Sequence, residues 1–228
     1  MTQLWDTRWV LLAATGATAR IFLYSAVLAL ALSFVAGVAR SASPRWVRWA
    51  ALVYGELFRG VSLVVQLFWL FFVLPLLGVT LSPQSAAILG LGLCFGAYGA
   101  ESVRVALAAV PAGQLQAAQA LGLSRRQAFF KVELPQALPV MLPPLGNLMV
   151  MALKATSVTA MITVPELTFT ANALTANLGA SAAVFAYVGL AYYAMAKLVL
   201  WISRGLERRV RIVGRSDAGG QGGQGHGI

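Results

Sequence analysis

Acidic residues are scarce in this 228-residue chain, with seven Asp and Glu against seventeen Lys and Arg and a net charge of +10. There is one cysteine, Cys94, and one histidine, His226. That excludes an internal disulfide and leaves no ligand set for a metal. The acids are scattered, so no paired carboxylates stand ready for a membrane-bound hydrolytic enzyme. Nothing matches Gly-x-x-x-x-Gly-Lys-Ser/Thr, so the chain has no phosphate cradle of its own. Charged residues of all kinds make up 11%, against ~25% in an average soluble domain.

What fills the chain instead is apolar. Hydrophobic residues are 59% of the total and the mean hydropathy is +0.78. A soluble domain of this size has no interior large enough to hide that surface. The chain therefore reads as an all-α polytopic membrane protein of about five transmembrane helices. Its basic excess then belongs to cytoplasmic loops rather than to a nucleic-acid partner.

Charges punctuate the runs. Ile21–Ala39 is charge-free between Arg20 and Arg40 and predicts a first span after an extracytoplasmic segment over residues 1–19. Gly60–Ala100 is too long for one span, and Gly78 to Pro83 divides it into helices at about Gly60–Leu77 and Gln84–Arg104. A fourth helix is predicted from about Pro139 to Ser157 and a fifth from about Ala182 to Ser203. Residues 163–180 are mixed, with Pro165, Glu166 and two Asn. Residues 214–228 form a Gly/Gln-rich tail expected to be disordered.

Five spans place the termini on opposite sides. With the N-terminus outside, the cytoplasmic ends hold Arg40, Arg45, Arg48 and Arg59. They also hold Arg104, Arg125, Arg126, Lys131 and the run from Arg204 to Arg215, leaving only Arg8 and Arg20 outside. The reverse orientation breaks the positive-inside rule.

The polar stretch 111–135 carries the strongest signal. Pro111 can open a short helix, Gly122 suits a left-handed terminator, and Ser124 with Gln127 makes a capping box for a second helix. The small Ala117 and Ala118 on the first arm let another protein come close.

The spacing Gln116-Ala117-Ala118, then Gly122, then Val132 and Leu134-Pro135 resembles the cytoplasmic coupling loop of binding-protein-dependent ABC importer permeases. That pattern begins Glu-Ala-Ala; Gln116 keeps the length and hydrogen bonding of Glu and loses its charge. Glu56 to Gly60, Ala97 to Glu101, Leu142 to Asn147, Leu153 to Ser157 and Val164 to Thr168 are similar to the polar-amino-acid branch, over about residues 20–210. Phe68 to Gly78 and Leu153 to Thr156 look most like the ectoine/hydroxyectoine permeases. The resemblance implies an ABC type-1 importer permease fold in the bacterial inner membrane and no catalytic residue or cofactor in this chain. It implies ATP hydrolysed by partner ATPase subunits, a second permease subunit and a periplasmic or lipid-anchored solute-binding protein. It also implies inward movement of a small zwitterion, ectoine or a polar amino acid. The alternative is a secondary transporter working without an ATPase.

Other residues stand out. Lys154 lies deep in the fourth span, where an ammonium is costly and either faces the translocation path, snorkels to the outer interface or pairs with a residue of the partner permease. With Thr156 and Ser157 it forms a candidate substrate path. Glu56 with Arg59, and Glu101 with Arg104, are spaced for ion pairs on one helix face. Gly92, Gly96 and Ala100 form a small-residue row suited to close helix packing.

Overall fold

The computed structural model describes residues 2–41, 44–178 and 181–216, and among these there are helices and no strands. The helices are α1 (Thr2–Ala39), α2 (Arg45–Gly60), α3 (Leu63–Phe68), α4 (Pro83–Ala108), α5 (Ala112–Ala120), α6 (Arg125–Ala128), α7 (Leu134–Ala155), α8 (Leu167–Leu178) and α9 (Ser181–Ser216). Within the described residues, four helical stretches are long and apolar enough to cross a membrane: Arg8–Ala39, Pro83–Ala108, Arg125–Ile162 and Ala182–Val210. A bent pair, Arg45–Gly60 with Leu63–Leu77, makes a fifth if it is counted as one span.

Several boundaries differ from those expected. The first helix does not begin at Ile21 but runs unbroken from Thr2, so the segment ahead of Arg20 is helical as well. Arg8 and Arg20 mark polar surroundings; they do not interrupt a backbone ladder, and Arg is a good helix former. The stretch before Gly60 is also helical. Between it and α3, Val61 and Ser62 adopt extended backbone and the chain turns by 104°. The helix that carries the fourth span begins at Arg125 rather than Pro139, because α6 continues through a wide π-type turn, Phe129–Glu133, into α7. Pro135 lacks an N–H and frees the Lys131 carbonyl one turn back, inside the widened turn, which absorbs that mismatch without ending the helix; Pro139, Pro143 and Pro144 then sit within α7. The last helix extends through Ser216, so the first residues of the expected tail are helical, and the remainder, 217–228, lies outside the described residues.

Helix register fixes which ends share a side. On α4, a Cβ at Gly92 would come within 2.5 Å of Leu28, and one at Gly96 within 2.8 Å of Leu32. Further along, a Cβ at Gly37 would come within 2.6 Å of Val103. Residue numbers rise together, so α1 and α4 run parallel with their backbones in close approach. The small-residue row therefore packs within this chain. Gly146 faces Ser203 while the Thr156 hydroxyl meets that of Tyr192 at 3.4 Å, so α7 and α9 are antiparallel. At the other end, the Leu167 N–H donates to Thr18 Oγ1 (3.0 Å), and Thr15 meets Tyr187 (3.3 Å). The start of α1, α8 and the start of α9 thus share one end of the bundle. The ends of α1, α4 and α9 share the other, together with the loop 109–133.

Candidate functional site: the interhelical loop and the polar clusters

The loop 111–135 is two short helices at a fixed angle. Helix α5 ends in a Schellman motif. Gly122 is left-handed (φ +79°), its N–H donates to Gln119 O (2.9 Å), and the Leu123 N–H donates to Ala118 O (3.1 Å). Two residues on, a capping box starts α6: the Gln127 N–H donates to Ser124 Oγ (3.3 Å) and the Ser124 N–H to Gln127 Oε1 (2.9 Å). The two motifs leave little freedom between the arms. Ala118 is buried inside the elbow, while Gln116 and Ala117 are exposed. Leu134 is half-buried and Pro135 exposed where the second arm enters α7. Leu121 at the tip is 83% exposed. It was not singled out in the sequence; the signal was an apolar residue beside the terminating glycine. What this arrangement can do is present a rigid, small-residue surface with one apolar knob, on an arm continuous with a membrane-length helix.

Beside the loop, at the same end of the bundle, Glu101 gathers three cations. Arg104 binds it through Nη2 (2.6 Å) and Nε (3.1 Å). Arg40, at the end of α1, closes on its other oxygen. Arg59 stands 3.8 Å away and pairs at 2.5 Å with Glu56. The cluster ties α1, α2 and α4 together. Arg40, 61 residues from Glu101 in sequence, carried no local signal.

A cavity of about 290 Å³ lies at the bend between α2 and α3, walled by Arg59, Leu63, Cys94, Tyr98, Leu148 and Met151 among others. The Gln66 amide, buried beside it in the chain, donates from Nε2 to Phe58 O and Val61 O, both at 2.8 Å. It thus satisfies carbonyls that the break would orphan. Lys154 follows Met151 by one turn and is exposed, with no carboxylate partner among the described residues. Ser157 is half-buried, and its hydroxyl donates to Lys154 O (2.8 Å). Thr156 does not share this face. It is fully buried, bonded to Leu153 O (2.7 Å) and packed on Tyr192, because two positions along a helix put it on roughly the opposite side from Lys154.

A second polar cluster joins α8 to α9. Glu166 is fully buried; its carboxylate accepts from the Phe169 N–H (2.8 Å) and from the Tyr192 hydroxyl (3.0 Å). Burial pushes its pKa upward, and these hydrogen bonds pull against that. Glu166 so caps the start of α8, a role hidden in a stretch that reads as mixed. No three His, Cys, Asp or Glu among the described residues group as a metal site.

Comparison with known proteins places this arrangement. The probable amino-acid ABC transporter permease of Sinorhizobium fredii is 42% identical over 199 residues, covering 85% of this chain and 84% of its own. The glutamine transport system permease of Escherichia coli is 34% identical over 215 residues, covering 92% of this chain and 98% of its own. The crystal structure of an amino acid ABC transporter with histidines superposes with a TM-score of 0.82 at 24% identity, covering 91% of this chain and 97% of that one. The fold is thus that of the ABC type-1 importer permeases. Residues 13–212, which take in both the rigid loop and the helices it joins, match one family model throughout, and the chain belongs to the family of binding-protein-dependent transport system inner membrane components.

Proposed function

We propose that the chain is the permease subunit of an ABC importer that passes a small zwitterionic solute inward, driven by ATP hydrolysed on a separate subunit. The observation that carries this reading is the elbow at 111–135: two interlocked capping motifs, an exposed knob and a direct continuation into α7. ATP-driven closure of the partner ATPase pushes on the elbow, and its differential affinity for two arrangements of the helices supplies the energy. The solute arrives on a secreted or lipid-anchored binding protein, and a second permease subunit completes the pathway.

The basic residues orient the chain with α5 and α6 in the cytoplasm and the N-terminus outside. Single cysteines, Thr2→Cys and Gln221→Cys in a Cys94→Ala background, test this. An impermeant thiol reagent on intact cells is expected to label the first and miss the second. The opposite pattern overturns the orientation.

For the substrate, the Lys154 ammonium, one helical turn past Met151 in the wall of the cavity at the bend, would meet a carboxylate. The relatives named above are amino-acid permeases, which favours amino acids as the class. Ala155 offers no acid to hold a free cationic amine, which favours compact zwitterions such as ectoine within that chemistry. Lys154→Met is expected to lower uptake about 10–100-fold, the worth of one charge-assisted hydrogen bond, with assembly intact. Ala155→Asp is expected to weaken ectoine uptake more than amino-acid uptake. Radiolabelled ectoine, arginine and glutamine uptake by the reconstituted transporter, with and without its ATPase subunit, decides between these. Normal transport by Lys154→Met removes the lysine from the path, and transport without the ATPase selects a secondary transporter.

A further inference from the structure

Helix α2 presents two apolar faces. One, through Ala51 and Gly55, is buried against α1 and α4; the Tyr54 hydroxyl donates to Leu93 O at 2.8 Å. The other has no cover. Trp46 is 76% exposed and Trp49 70%, and Val53 and Leu57 continue the stripe. At 100° per residue these four share one side of the helix; the exposed Arg45 lies about 40° beyond Trp49 and the exposed Arg48 about 100° beyond it, on the flank that also carries Glu56, which is paired with Arg59. Neither arginine pairs with a carboxylate among the described residues.

The direction of α2 follows from its neighbours. Leu67 of α3 packs at Gly90, while Leu63 shares a cavity wall with Cys94, so α3 runs antiparallel along α4. Since α4 is a span, α3 lies along the membrane normal. The 104° turn between α3 and α2 then puts α2 close to the membrane plane. It lies at the level of Glu101, 18 residues into α4 and one to two turns before its end, on the side of the bundle that holds the elbow.

We propose that α2 is an in-plane helix seated on anionic phospholipid of the leaflet next to the elbow. Trp46, Trp49, Val53 and Leu57 enter the edge of the acyl layer, and Arg45 and Arg48 hold lipid phosphates. An in-plane helix with tryptophans on one side and arginines beside them matches the interface between headgroup and hydrocarbon. A second copy of the chain fits this surface poorly. It carries the same net +10, Glu56 and Glu101 are already paired, Glu166 is buried, and Glu133 and Glu207 are half-buried.

The test uses the full-length chain in nanodiscs of phosphatidylcholine, with and without phosphatidylglycerol. The emission of Trp46 and Trp49 is isolated as the difference between the chain and its Trp46→Phe/Trp49→Phe variant. Bromine near the headgroup end of the acyl chains is expected to quench that emission more than bromine near the bilayer centre. The emission is expected to shift blue as phosphatidylglycerol is added. Arg45→Gln/Arg48→Gln should require about five-fold more phosphatidylglycerol per arginine removed to reach the same shift, and Arg45→Lys/Arg48→Lys should restore it. The lysine pair separates a charge effect from a folding defect. Three results overturn the proposal. Absent quenching at any depth means protein covers the face. Strongest quenching at the bilayer centre means α2 is part of a span. An emission indifferent to phosphatidylglycerol means the arginines do not hold phosphates.

Discussion

Gly99→Leu should abolish recovery of the folded chain. A Cβ at position 99 would fall inside contact distance of Ser33 Oγ and 3.2 Å from Leu145, so three elements meet at one hydrogen atom. Ser33 has nowhere to go. It is fully buried, and its hydroxyl donates to Ala29 O (2.6 Å) on its own helix and sits 3.3 Å from Gly96 O on α4. A leucine must part the α1 and α4 backbones, breaking that contact and the neighbouring Gly92 and Gly96 approaches. Overpacking of this kind costs about 3 kcal/mol or more, a large share of a stability of ~5–15 kcal/mol. Gly99→Ala should cost about 1–2 kcal/mol by the same argument. Gly16→Leu, on α1 where a Cβ meets nothing within 4 Å, is the control, and it should gain slightly in helix propensity. Size-exclusion chromatography of detergent-solubilised chain measures the outcome. A monodisperse Gly99→Leu peak at normal yield means that the close parallel contact is not a stability element.

These packing positions show what the amino-acid sequence makes legible. Gly92 and Gly96 are spaced for close approach, but nothing local says that they approach Leu28 and Leu32 of α1, about 60 residues upstream. The elbow was readable because its determinants are local: Gly122 supplies a left-handed residue, and Ser124 and Gln127 bond to each other's backbone. Charge served well to find the apolar centres of the helices and poorly to find their ends. Arg20 marks where surroundings become polar, yet the ladder of α1 continues past it. The end of α2 was legible in the one-turn spacing of Glu56 and Arg59, but its start was hidden because Arg45 and Arg48 read as loop punctuation, whereas on the helix all four fall on one flank. The break after Gly60 is made by Val61 and Ser62, residues with no strong turn preference, and it is held by a Gln66 side chain whose role emerges only in three dimensions. The Glu101 cluster was half legible: Arg104 is one turn away, but Arg40 arrives through the register of α1 on α4. Glu166 was hidden for a related reason. A lone acid in a mixed stretch acquires meaning only when Tyr192 and the Phe169 N–H close on it.

Gly122→Val should uncouple the transporter while leaving the chain in the membrane. At φ +79° a β-branched residue pays about 1–2 kcal/mol. Relief by moving to negative φ breaks the Gly122 N–H bond to Gln119 O and the Leu123 N–H bond to Ala118 O. The angle between α5 and α6 is then free, and the 83%-exposed Leu121 loses its position relative to the arm that enters α7. No atom stands within 4 Å of a Cβ at this glycine, so the cost stays in the loop and the spans keep their packing. Insertion and yield should therefore be normal, while co-purification with the ATPase and solute uptake fall to background. Gly122→Asn, which tolerates the left-handed region, should keep most of both. Leu121→Asp separates shape from surface: it leaves the elbow intact and removes the knob, and should weaken ATPase binding about 10–100-fold, the worth of one buried leucine. If Gly122→Val co-purifies at normal yield and supports uptake, the elbow is not the docking element. If Leu121→Asp alone is silent, docking uses the small-residue face at Gln116 and Ala117 and not the tip. Because α6 continues without interruption into α7, whatever seats on α5 moves the span that carries Lys154, and that continuity is what a bound ATPase would act through.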